Sequence, residues 1–141
     1  MNPSAPDIER EARLLRRKVD AGAAFALSQP VFDAETLARF RAVYGEHFGE
    51  LPLPVLAGVL PLMSARHAEF LHNEVPGVVI PDAARERLRG AGDRAGAEGL
   101  RLAIDLVGTL RQTGAAAGIY LMPQFGRFDI AAELVEAARA G

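Results

Sequence analysis

Gln29 is the one long amide at the end of an apolar run, following residues 23–28 and preceding Pro30. A carboxamide carries a donor and an acceptor side by side, which suits the edge of a heterocycle or, equally, neighbouring loop backbone. Two more runs end in the same way, at Gly58-Val59-Leu60-Pro61 and Tyr120-Leu121-Met122-Pro123. Gly58 either admits a ring close to the backbone or marks a bend. Tyr120 either stacks on a ligand or fills the core. Arg16-Arg17-Lys18 is a cationic triplet that either steers a phosphate or ends a solvated helix. Lys18 is the single lysine beside fifteen arginines, and so the only compact, strongly hydrated cation. His47, His67 and His72 form no HExxH, and the last two are five apart, a poor metal spacing. Asp20, Asp33, Asp82 and Asp129 fall at helix ends, where capping accounts for them. No carboxylate pair and no Ser-His-Asp set is recognisable.

The elements that must position these residues alternate. Residues 7–21 read as a helix, because Ile8, Ala12, Leu15 and Val19 recur at steps of four, three and four. Ser4 is its expected N-cap and Gly22 its stop. Asp33 is expected to cap a second helix carrying Leu37, Phe40, Val43, Tyr44 and Phe48. Shorter helices are expected over 64–72 and from Pro81-Asp82 to Arg89, with a brief extended run at Val78-Val79-Ile80 between them. Residues 95–112 give the longest helix, and Asp129 is expected to cap the last. The apolar runs at 23–29, 55–60 and 116–122 are read as strands. Continuously apolar strands separated by helices predict a parallel sheet covered on both faces, with functional groups at the strands' carboxyl ends. The architectures compatible with this are a doubly wound sheet or the later part of a (β/α)8 barrel. No GxGxxG and no Walker A motif occurs, so the nucleotide-binding versions of the doubly wound sheet lose support.

The chain has 141 residues, half of them hydrophobic and 24% charged, as in a single globular domain. Area scaling for its 15.1 kDa predicts roughly 7,000 Å² of folded surface. Without cysteine there is no disulfide, thiolate metal site or cysteine nucleophile. A net charge of −2 argues against a nucleic-acid partner. No apolar run approaches the roughly 20 residues a membrane helix needs, and no signal-peptide pattern opens the chain. The expected compartment is the cytoplasm, with no membrane partner.

Several segments, in order, resemble the methylenetetrahydrofolate reductase family. They are Arg17-Lys18-Val19-Asp20-Ala21-Gly22-Ala23, Ser28-Gln29-Pro30-Val31-Phe32-Asp33, Gly58-Val59-Leu60-Pro61 and Val79-Ile80-Pro81. The segments 72–77 and 119–127 resemble the branch of that family fused to a homocysteine methyltransferase. The resemblance implies a (β/α)8 barrel with FAD at the carboxyl ends of the strands. It implies reduction of 5,10-methylenetetrahydrofolate to 5-methyltetrahydrofolate with NAD(P)H, in one-carbon and methionine metabolism. It matches Lys18 to a lysine contacting FAD, with Arg17 beside it in the same cofactor-binding stretch. It matches Gln29 to the glutamine bonding the folate pterin and His67 to a folate-side position. Tyr120 joins them as a substrate-side residue. Arg127 matches an arginine contacting folate, with Gln124 as the alternative match. Leu71 falls where some members place a stacking phenylalanine.

By the same resemblance, the chain begins after the fifth strand. Residues 1–141 are then one segment, the carboxyl-terminal half of the reductase domain, a partial barrel of α/β class with strands six to eight and their helices. The family's general-acid glutamate and flavin-tuning aspartate belong to strands one and four. No catalytic residue is therefore assigned here, and the chain is expected to depend on a complementing first half or on homo-oligomerisation. The competing expectation is a non-catalytic remnant or assembly module of the same fold.

Overall fold

A computed structural model describes residues 1–124 and 126–140. The order of elements is α1 (Ile8–Asp20), β1 (Ala26–Pro30), α2 (Ala34–Phe48), β2 (Val55–Val59), α3 (Ala65–Glu74), α4 (Asp82–Ala91), α5 (Ala95–Thr113), β3 (Gly118–Leu121) and α6 (Phe128–Ala140). Phe125, part of the 119–127 segment, and Gly141 lie outside the described residues.

Asp33 caps α2 as expected, its carboxylate accepting the Thr36 N–H at 2.7 Å. The start of α1 differs. Asp7 is the cap, accepting the Arg10 N–H at 2.8 Å, while the Ser4 N–H bonds the Asn2 side chain at 3.0 Å. A cap at Ser4 would make Ala5 the first helical residue, and Pro6 disfavours helical torsions in the residue before it. Val78-Val79-Ile80 forms no strand. Its two ends are buried, but the Ile80 N–H is taken by His72 Nδ1 at 3.1 Å, so it offers no ladder to a neighbour.

The strands pair in parallel, in the order β1-β2-β3. Spatial order equals chain order, so the sheet is wound in one direction. Right-handed crossovers then put the connecting helices on one face. A doubly wound sheet requires a reversal, which is absent among the described residues. The expectation of cover on both faces is thereby corrected. Val55, Ala57 and Val59 join Phe40 and Tyr44 of α2, Leu110 of α5 and Leu134 of α6 in the main core. A smaller core lies beyond the end of β2, where Leu71 of α3, Ile80, and Leu88 of α4 meet. Glu69 ties α3 to α4 through Arg85 at 2.9 Å and Arg89 at 2.6 Å.

The other face carries Leu27, Leu56, Gly58, Gly118 and Tyr120. Leu27 is 44% exposed and Phe25, just before the strand, 57%. The total surface of 7889 Å² exceeds the roughly 7,000 Å² expected of a closed domain of this mass, in line with one sheet face left bare.

Candidate functional site

The carboxyl end of β1 is shaped by Pro30. Between the pairs Leu27–Leu56 and Pro30–Gly58, two residues of β1, Ser28 and Gln29, face the single Ala57 of β2. In an unbroken parallel ladder the Gly58 carbonyl would accept the N–H of residue 30, and proline has none. The extra residue shifts the register, and the Val31 N–H reaches the Gly58 carbonyl at 3.0 Å instead. The result is a β-bulge at Ser28-Gln29, a device that re-aims a side chain.

Ser28 holds the bulge from inside. It is 2% exposed, its Oγ accepting the Gly58 N–H at 3.0 Å and donating to the Gln29 carbonyl at 2.7 Å. Sequence reasoning missed this residue. Its signal was a small hydroxyl within an otherwise apolar run, where a buried polar group must find partners. Gln29 itself is exposed, and its side-chain amide has no hydrogen-bond partner among the described residues. Its backbone N–H donates to the Met1 carbonyl at 2.8 Å, and the Met1 ammonium donates to the Leu27 carbonyl at 2.7 Å. Those are the two bonds a parallel strand makes on the outer edge of β1.

Tyr120 comes to the same place from β3. It is half-buried, and its hydroxyl donates to the Ser28 carbonyl at 2.5 Å. Burial pushes its phenol above the usual 10, keeping it a donor through the neutral range. The hydroxyl end of the ring lies against Gly58, where a Cβ would lie 2.9 Å from the Tyr120 hydroxyl and 3.0 Å from the Ser28 carbonyl. The ring that Gly58 admits is therefore the protein's own.

His67 stands in the first turn of α3, just past the end of β2. Its Nδ1 accepts the Met63 N–H at 3.4 Å, and burial lowers its pKa below 6.5, favouring the neutral ring. Leu71, one turn further on, is buried in the smaller core.

The remaining candidates lie elsewhere. Arg17 and Lys18 are exposed in the last turn of α1, one loop before β1 begins, with no ion pair among the described residues. No hydrogen bond or ion pair joins them to Ser28, Gln29 or Tyr120. Desolvation lowers the pKa of the Met1 ammonium, and the charge of Lys18 lowers it further. Arg127 is exposed and doubly bonded to Asp129, with Nε–Oδ1 at 2.9 Å and Nη2–Oδ2 at 2.7 Å. That guanidinium holds the Asp129 carboxyl down at about 2. Arg127 borders a groove with Leu100 and Arg101 of α5, on the helical side. Gln124 is half-buried, its carbonyl accepting the Arg127 N–H at 3.0 Å. The fold thus unites Ser28, Gln29, Gly58 and Tyr120, sets His67 beside the end of β2, and holds Arg17, Lys18 and Arg127 apart.

The family model for methylenetetrahydrofolate reductase matches residues 1–134. A probable methylenetetrahydrofolate reductase (NADPH) of Caenorhabditis elegans is 29% identical over 124 residues, covering 85% of this chain and 18% of that protein. The 5,10-methylenetetrahydrofolate reductase of Escherichia coli (strain K12) is 29% identical over 117 residues, covering 81% of this chain and 38% of that protein. The Shigella flexneri enzyme of the same name gives the same figures. This chain belongs to the methylenetetrahydrofolate reductase family, and it spans less than two-fifths of the length of these relatives.

Proposed function

We propose that this member of the family forms strands six to eight of a (β/α)8 barrel and one wall of the folate and flavin site within it. The observation that carries the reading is the bare sheet face, together with the exposed, unengaged Gln29 amide at the carboxyl end of β1. A barrel of this type takes about eight strands. Here three strands wind in one direction, and Met1 makes on the free side of β1 the bonds of a preceding parallel neighbour. The segments 72–77 and 119–127 favour the branch fused to a homocysteine methyltransferase.

The substrate in this reading is 5,10-methylenetetrahydrofolate, the product 5-methyltetrahydrofolate and the electron donor NAD(P)H. FAD, when bound, supplies the hydride chemistry between the two. Arg17 and Lys18 fit its diphosphate by charge, since both cations are exposed and unpaired among the described residues. In this reading the chain contributes cations rather than the bed of the flavin ring. Gln29 orients the pterin with its amide donor and acceptor. His67 offers a neutral imidazole at the rim, and Arg127 must leave Asp129 before it can meet a folate carboxylate. No carboxylate stands on the bare face among the described residues. This supports a proton donor from outside this chain and, for the chain alone, little or no turnover. The reading as a non-catalytic assembly module draws on Leu71, which is packed into the smaller core and unavailable for stacking.

The test mixes the chain with a polypeptide supplying five preceding βα units of the family. A yellow complex with flavin absorbance is expected. In it, Gln29→Ala should slow folate reduction and leave flavin reduction by NAD(P)H unchanged. A colourless mixture without folate reduction would favour the assembly module, and normal folate kinetics in Gln29→Ala would remove that residue from the site.

A further inference from the structure

Gln29 projects from a bulge whose two carbonyls, those of Ser28 and Gln29, each accept a side-chain hydroxyl. Extending the ladder from the Leu27–Leu56 pair, the Gly58 N–H would go to the Ser28 carbonyl. It goes instead to Ser28 Oγ at 3.0 Å. The Ser28 carbonyl accepts the Tyr120 hydroxyl, which reaches it from β3 across the whole width of β2. Ninety-two residues separate the two partners in the chain. Ser28 Oγ in turn donates to the Gln29 carbonyl at 2.7 Å, so the peptide groups on both sides of the Gln29 α-carbon are held. The crossing is open only because residue 58 is glycine, as a Cβ there would meet the hydroxyl at 2.9 Å and the ring carbon Cζ at 3.1 Å.

We propose that Tyr120 is a positioning residue that acts through Ser28 to fix the bulge, and with it the exposed Gln29 amide, which meets a heterocycle with adjacent donor and acceptor. The inference rests on the reading of Gln29 as the folate contact. It deepens that reading by giving Tyr120 a role other than stacking. The ring's hydroxyl end lies against Gly58, and its one polar atom is spent on Ser28.

Tyr120→Phe keeps the ring and removes only the hydroxyl. Backbone amide exchange, measured by NMR on the isolated full chain, should quicken about tenfold at Gln29 and Gly58, the scale of one lost hydrogen bond, and stay unchanged at Phe40 in the main core. Binding of 5-methyltetrahydrofolate is titrated in parallel, with and without the five-unit polypeptide. Tyr120→Phe should weaken it, and the double variant Tyr120→Phe/Gln29→Ala should bind no more weakly than Gln29→Ala alone, because one residue works through the other. Unaltered exchange at Gln29 and Gly58 would overturn the proposal, as would fully additive losses in binding. A wild-type chain that ignores 5-methyltetrahydrofolate even when completed would sink the folate reading, while the exchange comparison still decides whether Tyr120 holds the bulge.

Discussion

The two faces of the sheet are built from alternate residues of the same strands and follow opposite rules. On the helical face, Val55, Ala57 and Val59 are closed over by α2, α5 and α6, and the large side chains Phe40, Tyr44 and Leu134 are wholly buried. On the other, Leu27 is left in water, the Tyr120 ring is anchored by its hydroxyl, and two positions, Gly58 and Gly118, have no side chain. The first face satisfies itself by burying apolar area, which is what makes a domain fold. The second spends its residues on hydrogen bonds and close approach, and its apolar groups gain nothing within this chain. Stability and function are thus divided between the two sides of one sheet, with the pleat as the boundary.

The largest effect should come from truncating a large side chain on each side. Phe40→Ala on the helical side should cost about 3–5 kcal/mol in urea unfolding, through lost burial and the cavity left behind. Leu27→Ala on the bare side should cost under about 0.5 kcal/mol in the same assay. With the five-unit polypeptide present, Leu27→Ala should instead weaken association by about 1–3 kcal/mol, the worth of a leucine taken out of water. Equal unfolding costs for the two substitutions would erase the distinction between the faces.

A smaller contrast uses glycine. A Cβ at Gly99 of α5 would lie 1.8 Å from the Leu62 carbonyl oxygen, a rigid backbone atom. Gly99→Ala should therefore force α5 away from the loop after β2 and cost about 1–3 kcal/mol or more. A Cβ at Gly118 would meet only the Leu56 Cδ2 methyl at 3.0 Å, the end of a side chain free to turn into open space. Gly118→Ala should be neutral within about 0.5 kcal/mol, or stabilising through reduced chain entropy. Chemical denaturation of both variants checks the pair, and a large loss for Gly118→Ala would show that the bare face is packed after all.

How much of this was legible in the sequence follows the same boundary. The strands and long helices were readable because their apolar spacing serves the helical core: β2 falls within 55–60, β3 within 116–122, and α5 differs by one residue at its end. The one-sided cover was not readable. Continuous apolar runs look alike whether both faces are buried by helices or one awaits other strands. At the site, Gln29 was visible from its position after an apolar run. Ser28 was hidden because its value lies in register, and register depends on Pro30 lacking an N–H opposite Gly58. The meaning of Gly58 depended on Tyr120, 62 positions away, and no local pattern carries that contact. Val78-Val79-Ile80 has strand composition, yet whether a short apolar run pairs is decided by what takes its N–H groups, here His72.

The smallest effect is on the rim, where acid should act on the end of β2 before it reaches either face. Burial lowers the pKa of His67 from 6.5, so the native state binds its proton less readily than the unfolded chain does. The sign follows from linkage. Above about pH 6.5 both states are neutral and the contribution is complete; it is lost as pH falls from 6.5 through the lowered folded value. Asp129, held at about 2 by Arg127, gives up its contribution only as pH falls from its ordinary 3.8 toward 2. His67→Gln keeps a hydrogen-bond acceptor for Met63 and removes the titration. Melting temperature followed from about pH 8 to pH 5 should decline less in His67→Gln than in the wild type, by a margin that partial solvent exposure keeps small. Amide exchange should place the acid-induced opening at Met63 and the first turn of α3 and leave Phe40 protected. Opening at Phe40 over the same range would mean that the rim and the helical core yield as one unit, and that the boundary between the faces does not extend to the loops above them.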